Sequence, residues 1–325
     1  MRTFRWIACL AVVLAATAPP AVNAQDFPSR VVRIVVPYPA GGGVDNLARP
    51  IADQLSKAWG QSVIIENKSG AATMIGGQEV ARAPADGHTL FLTSDSSITS
   101  NPFMFKKMLL DPIKDLMPVT QLIELHQFVL VHPSVVPNTM QELVDAAKAN
   151  PNSMNYGSFG NGSQPHLLFE SLGRQTGARI QAVTYKGIAP AITATLAGEV
   201  QMTLGSVSVA SGHIESKTLK PLAIGRHARL ATHPNVPTLK EAGYPTIEPR
   251  SWFGLLAPAG TPPAVAEKIQ QAVAAVLNEA EFKARFIDRA GHTGVGSPPA
   301  EFAKFIGEDY AAKKTMIEAA GIVAE

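Results

Sequence analysis

Cysteine is almost missing from this 325-residue chain: Cys9 is the sole one, and it lies in an apolar leader. Downstream of that leader, a disulfide framework, a thiol nucleophile and a thiolate metal site are all excluded. Charge is sparse and balanced. Lys and Arg number 28 against 26 Asp and Glu, a formal charge of +2, so the cation excess that tracks a phosphate backbone is absent and nucleic-acid binding is not expected. Aromatic residues make up 6% and charged residues 17%, while hydrophobic residues reach 46%, which excludes a disordered or fibrous chain.

What is present begins with the leader. Arg2 and Arg5 precede the apolar run from Ile7 to Ala18; Pro19 and Pro20 follow, and Val22-Asn23-Ala24 closes on a small residue. The run is shorter than the roughly 20 residues a membrane helix needs, so residues 1–24 read as a secretory signal peptide cleaved after Ala24 rather than an N-terminal anchor. A lipoprotein would carry its cysteine after the apolar run, whereas Cys9 precedes most of it. Cleavage removes two arginines and no acid, which leaves bases and acids equal in number. A chain of about 300 residues buries enough core to stand without staples, and no later segment has the length and apolarity of a span. The expected product is a soluble protein exported to the periplasm.

The rest alternates strand and helix. Val31 to Val36 is a β-branched run stopped by Pro37 and Pro39; Ala40-Gly41-Gly42-Gly43 follows, and Leu47, Ile51 and Leu55 then recur at helical spacing up to Gly60. Ser62 to Glu66 completes a strand–helix–strand unit. A helix near Ile75 to Arg82 and a strand at Thr89 to Thr93 continue it; after a proline-containing loop comes a strand at Phe128 to His132. A second series repeats the design: helix Met140 to Ala149, strand Met154 to Tyr156, the loop Gly157-Ser158-Phe159-Gly160-Asn161-Gly162-Ser163, and helix His166 to Gln175. Strands at Ile180 to Val183, Val200 to Leu204 and Pro221 to Ile224 and a helix at Pro190 to Leu196 belong with it. The tail, with strand Phe253 to Ala257 and helices Pro263 to Glu279 and Pro299 to Ala320, is expected to rejoin the first half, whose sheet otherwise lacks cover on both faces. The class is α/β, with two lobes, 25–127 plus 250–325 and 128–249, and a cleft between them.

Each half carries a glycine turn that opens a helix at the carboxyl end of a strand. Helix-first-turn N–H groups lack partners inside the helix, and the macrodipole places about half a positive charge there, so such turns bind anions. Simple turn geometry, a helix cap at Ser163 and helix packing of His166 remain open as alternatives. Other chemistries find less support. Gly41-Gly42-Gly43-Val44-Asp45-Asn46 is not a dinucleotide fingerprint, and Asp45 would repel a pyrophosphate. Nucleophile-elbow, zinc-protease and P-loop motifs are absent, and the eight histidines are scattered without metal-ligand spacing. No catalytic role, cofactor or metal is assigned. A secreted hydrolase would require Ser158 or Ser163 on His166 with an acid behind it. Uncharged donors with no clustered Arg or Lys suit a carboxylate that is held and released.

Several ordered blocks point further: Val36-Pro37-Tyr38-Pro39-Ala40-Gly41-Gly42-Gly43-Val44-Asp45, Val63 to Lys68, Ala85-Asp86-Gly87-His88-Thr89-Leu90, and Gly157-Ser158 through His166-Leu167. Tyr185-Lys186-Gly187 with Pro190-Ala191, Val236-Pro237-Thr238 with Glu241-Ala242-Gly243, and Trp252 to Leu255 with Ala257 to Pro262 complete them. Nearly end to end, the chain resembles the extracytoplasmic solute-binding proteins of the tripartite tricarboxylate transporter family, the Bug proteins. The resemblance implies a two-lobed type II periplasmic-binding-protein fold with mixed, mostly parallel sheets, closing on a small carboxylate and delivering it to a permease of two integral membrane subunits. It also implies that Ala40 to Asp45 and Ser158 to Ser163 hold the carboxylate, often over ordered waters. Family ligands include di- and tricarboxylates, acidic amino acids, nicotinate-type compounds and aromatic dicarboxylates.

The candidate ligand contacts are Ala40, Gly41, Gly42, Gly43, Asp45, Ser94, Ser158, Gly160, Asn161, Gly162, Ser163, His166, Tyr185 and Ser206. A monomer is expected, and a carboxylate sensor feeding a signalling partner is the alternative to a transport role. Two departures from the family stand out. After the second strand, members often read Gly-Ala-Gly-Gly where this chain has Gly70-Ala71-Ala72-Thr73, and the polar stretch Thr93 to Ile98 carries Asp95, placed to repel a second carboxylate, attract an ammonium group or lie on the surface.

Overall fold

Short buried strands and amphipathic helices assemble into two separate sheets. The computed structural model describes residues 27–160, 162–226, 228–247, 250–319 and 321–324, so the leader with its cleavage site and Asn161 lie outside the described residues. The first sheet holds β1 (Val32–Val36), β2 (Val63–Asn67), β3 (Thr89–Ser94) and β4 (Leu116–Leu125). The second holds β5 (Gln127–Val131), β6 (Asn155–Ser158), β7 (Gln181–Thr184), β8 (Met202–Ser206) and β9 (Lys220–Gly225), in the order β7-β6-β8-β5-β9. The chain then returns to the first sheet with β10 (Ser251–Pro258) and β11 (Thr293–Gly294), giving β11-β4-β10-β3-β1-β2.

Helix α1 (Gly43–Trp59) buries Leu47, Ala48, Ile51 and Leu55 and ends at Gly60, whose left-handed φ of 64° aims its N–H at the Ser56 carbonyl. That stripe shares a core with Val32, Ile34 and Val36 of β1 and with Val265, Ile269 and Val273 of α8 (Pro263–Asn278, α8 by chain order). Each such side chain contributes about 1.5–3 kcal/mol by leaving water. Between α1 and α8 run α2 (Met74–Ala81), α3 (Asn101–Met104), α4 (Met140–Ala149), α5 (Gln164–Thr176), α6 (Ile188–Leu196) and α7 (Val207–Glu215); α9 (Ala280–Phe282) and α10 (Pro299–Ala319) follow. In the second sheet α4 and α5 bury Leu143, Val144, Leu168 and Leu172 against Val129, Tyr156 and Leu204. No helix among the described residues is long and apolar enough to cross a membrane.

Three features depart from the sequence reading. Residues 116–125 form a ten-residue strand, β4, where a proline-containing loop was expected. Pro118 lies beside a register shift in the β4–β10 pairing, the kind of irregularity where a strand tolerates a residue with no N–H to donate. Second, the sheets are mixed but less parallel than expected. Among the described residues β1–β2, β1–β3, β6–β7 and β6–β8 are parallel, whereas β3–β10, β10–β4, β4–β11, β5–β8 and β5–β9 are antiparallel. The antiparallel members are those where the chain leaves one sheet and re-enters the other. Third, α7 went unread because Val207–Glu215 is built of small and polar residues with little apolar periodicity.

Asp95 has a role none of its sequence readings contained. It is 4% exposed, and its Oδ2 accepts from Lys313 Nζ of α10 at 2.9 Å and from Gln164 Nε2 of α5 at 3.1 Å. Both Lys313 Nζ and Gln164 Nε2 also donate to the Arg250 carbonyl at 2.9 Å, and Ser251 Oγ donates to Asp95 Oδ1 at 3.2 Å. One turn away, Asp309 is fully buried and its Oδ2 accepts from Thr99 Oγ1 at 2.7 Å and Trp252 Nε1 at 2.9 Å. The last turns of α10 add Met316 and Ile317 to an apolar cluster with Met104 and Leu167, so this helix joins elements of both sheets.

Breaking a buried pair leaves its partner charge stranded, so Lys313→Met should lower unfolding free energy by about 3–5 kcal/mol in urea at neutral pH. A loss below about 1 kcal/mol would mean Asp95 is neutralised elsewhere. Burial, reinforced by Asp95 and opposed by Lys313, pushes the Asp309 carboxyl above its usual range. Its native form therefore binds a proton more readily than its unfolded form, and stability falls as pH rises from about 4 toward the raised native value. Asp309→Asn should remove that decline from the pH–stability profile; an unaltered profile would refute it.

Candidate functional site

Strand β1 stops at Pro37, and the chain turns through Ala40 and Gly41 into α1. Gly41 adopts φ 81°, and its N–H donates to Asp45 Oδ2 at 2.8 Å. The same carboxylate takes Arg49 Nε at 2.8 Å, Arg49 Nη2 at 2.9 Å and Asn67 Nδ2 at 2.9 Å. Burial alone would raise the Asp45 carboxyl, but Arg49, the Gly41 N–H and Asn67 together hold it below the usual carboxylate range. At 1% exposure with four donors, the Asp45 carboxylate braces the turn. No side chain caps α1, so the first-turn N–H groups of Gly43 and Val44 have no partner inside the helix.

A chain of hydroxyls continues from this turn. Tyr38 OH lies 2.7 Å from Ser94 Oγ at the end of β3 and 3.2 Å from Ser97 Oγ; Ser94 Oγ lies 2.8 Å from Ser96 Oγ, and Thr93 Oγ1 lies 2.5 Å from Ser97 Oγ. Ser94 is thus tied to Tyr38, two residues before Ala40.

In the second sheet the loop after β6 folds on itself. Ser158, 1% exposed, donates to the Gly160 carbonyl at 3.1 Å, accepts from the Gly160 N–H at 3.1 Å and lies 3.2 Å from Ser163 Oγ. Ser163 Oγ accepts from the Phe159 N–H at 3.3 Å, and Ser163 is the uncapped N-cap of α5. The Gly162 N–H donates to His166 Nδ1 at 3.1 Å, which leaves Nε2 as the ring's donor. Burial depresses the His166 pKa, with Glu170 opposing, so the ring is neutral at pH 7. With Nδ1 given to a backbone amide and the serines bonded to one another, the arrangement a hydrolase requires is not made. Tyr185 joins the loop through its N–H on the Ser158 carbonyl at 2.8 Å, and Ser206 occupies the N-cap position of α7 at the end of β8 without a side-chain capping bond, its Oγ 3.2 Å from Ser208 Oγ.

A cavity of about 270 Å³ connects the two halves, lined by Ala72, Thr73, Ser96, Asn101, Gly162 and Ser163 among others. At its second-sheet wall Gly162 combines φ 72° with a close approach: a Cβ there would come within 3.1 Å of Met104 of α3. Thr73, Ser96 and Asn101 were not among the sequence candidates. The polar run Thr93 to Ile98 hinted at Ser96; nothing in the sequence marked Asn101.

Ala71 (φ 45°), Ala72 (φ 49°) and Thr73 (φ 80°) are three successive non-glycine residues in the left-handed region, at a cost of roughly 1–2 kcal/mol each. Asn101 Nδ2 pins them, donating to the Ala72 carbonyl at 2.6 Å and to Thr73 Oγ1 at 3.3 Å. The loop keeps a glycine-type backbone without the glycines.

Comparison with known proteins gives the family and the fold. Residues 47–322 match the family model described as the tripartite tricarboxylate transporter family receptor. BugT of Bordetella pertussis is 30% identical over 95% of this chain and 95% of its own length. Among solved structures, Rpa4515 of R. palustris, with adipate, is 32% identical with a TM-score of 0.80, covering 92% of this chain and 100% of that one. MatC of Rhodopseudomonas palustris, with bound malate, is 28% identical with a TM-score of 0.75, covering 90% and 100%. The two-lobed α/β architecture is that of periplasmic binding proteins.

Because Asp45 is held in its charged form by folding, its contribution to stability is present above the usual carboxylate range and is lost as pH falls through its depressed native value. Asp45→Ala should cost about 2–3 kcal/mol at pH 7. The gap from wild type in chemical denaturation should narrow below about pH 4. A gap independent of pH would show that Asp45 acts through packing alone.

Proposed function

This chain belongs to the tripartite tricarboxylate transporter receptor family, and from that premise we propose that it captures a small organic carboxylate between two closing lobes and passes it to a permease of two integral membrane subunits. The lobes are 25–127 plus 250–325 and 128–249. The protein acts as a monomer in the periplasm after removal of its leader at Ala24, and it catalyses no reaction.

One observation carries the reading: a cavity lined from both halves, bounded by the Gly162-Ser163 turn and joined through Ser96, Ser94 and Tyr38 to the turn that opens α1. One carboxylate sits on the N–H groups of Gly43 and Val44, with Ala40, Gly41 and Gly42 shaping the turn, the Gly42 N–H being held by the Pro39 carbonyl at 3.3 Å, and Asp45 and Arg49 behind it. Ser158, Gly160, Gly162, Ser163 and His166 face it from the other lobe, with Tyr185 and Ser206 at neighbouring strand ends, and Asn161 is included as a contact on its sequence position alone. The adipate and malate held by its relatives support this chemical class.

Thermal-shift screening of the mature chain against mono-, di- and tricarboxylates, acidic amino acids and aromatic acids tests the proposal. A ligand at 100 times its Kd adds about 2.7 kcal/mol, which raises Tm by roughly 4 °C for a chain of this size. Ser163→Ala should weaken the best hit about tenfold by removing one hydroxyl contact. The absence of any shift across the panel, or turnover of a bound compound, would overturn the reading.

A further inference from the structure

The strained run at Ala71 to Thr73 has a consequence for what the cavity accepts. Among the described residues only Asn152 and Lys217 are other non-glycine residues with positive φ. Ala72 and Thr73 line the cavity, opposite Gly162 and Ser163 of the second sheet's loop. A side chain retained where glycine would relieve strain is one whose atoms are in use, because such outliers persist only where the surroundings over-determine them. Here the over-determination is Asn101, which holds the Ala72 carbonyl and the Thr73 hydroxyl together. Since Asn101 Nδ2 donates to Thr73 Oγ1, the hydroxyl proton of Thr73 remains available to a second acceptor.

We propose that Thr73 is a specificity-determining residue: its hydroxyl, aimed by Asn101, donates to a second oxygen on the far end of the bound carboxylate, and its bulk limits the length of the chain between them. The inference rests on the carboxylate-binding reading above and deepens it, naming the ligand as a short carboxylic acid with a distal hydroxyl, keto or carboxylate oxygen. Asp95 does not oppose that second oxygen, because its charge is compensated by Lys313.

Butyrate, succinate and adipate are the probes, measured by isothermal titration calorimetry on wild type, Thr73→Val and Thr73→Gly. Thr73→Val keeps the shape and the β-branch and removes the hydroxyl, both the donor and the long 3.3 Å acceptor of Asn101 Nδ2, while the 2.6 Å bond from Asn101 to the Ala72 carbonyl stays; the preference for succinate over butyrate should fall about tenfold with little change in the ligand-free melting temperature. Thr73→Gly opens space and frees the backbone, so affinity for adipate relative to succinate should rise about tenfold while ligand-free melting does not fall. Should Thr73→Gly fail to fold, the Thr73→Val ratio alone decides. Binding of these acids with wild-type ratios in both variants would overturn the role of Thr73 and leave the carboxylate reading intact. If wild type binds none of the three and no other acid of the wider panel, the functional reading falls instead.

Discussion

A helix that begins on a glycine turn leaves its first N–H groups without partners, and nearly everything at this site follows from how the chain handles that demand. At α1 the N-cap position is Gly42, which has no side chain to cap with, and Asp45 of the first turn has its carboxylate taken by Gly41, Arg49 and Asn67. The turn is rigid and the helix end is open. At α5 the same outcome is reached differently. Ser163 Oγ pairs with Ser158 Oγ and accepts from the Phe159 N–H, and so does not cap the helix it precedes. Two helix ends are thereby kept free by side-chain bonds that would elsewhere have closed them.

Holding such ends opposite each other requires a joint, and the joint is ionic. Asp95 and Lys313 are buried as a pair, with the Arg250 carbonyl and Gln164 completing the shell. A hydrophobic contact of similar size would be about as stabilising, but a charge pair with several directed bonds specifies one geometry. Gln164 is also the first residue of α5, so the network that ties α10 to the first sheet fixes the start of the helix whose N-cap is Ser163. Positioning of the site and stability of the fold therefore run through the same residues.

Much of this was legible in the sequence. Periodicity located α1, α4, α5 and α8 because their apolar stripes are dense, and the two glycine turns were visible because glycine clusters before a helical stripe have few other uses. The ten residues of β4 were hidden by Pro118, whose tolerance depends on a register shift in a partner strand more than a hundred residues away. Asp95 was misjudged for a related reason: its partner Lys313 lies 218 residues on, and pairing at that separation leaves no local pattern. The far wall of the cavity was the least readable part, since Asn101 acts through a loop it meets only in the folded chain.

The electrostatic balance of the site decides what it holds and how tightly. Each helix end supplies about half a positive charge, so α1 and α5 together offer roughly one, enough for a single carboxylate. The full cations nearby are committed, Arg49 to Asp45 and Lys313 to Asp95. On the proposed reading, an anion entering the cleft meets dipoles and hydroxyls and forms no ion pair that must be broken when it leaves. Under that proposal, dipolar holding gives orientation and selectivity without a fixed ion pair, as release of a cargo demands, and leaves the ligand's second oxygen, met by Thr73, as the point where discrimination arises.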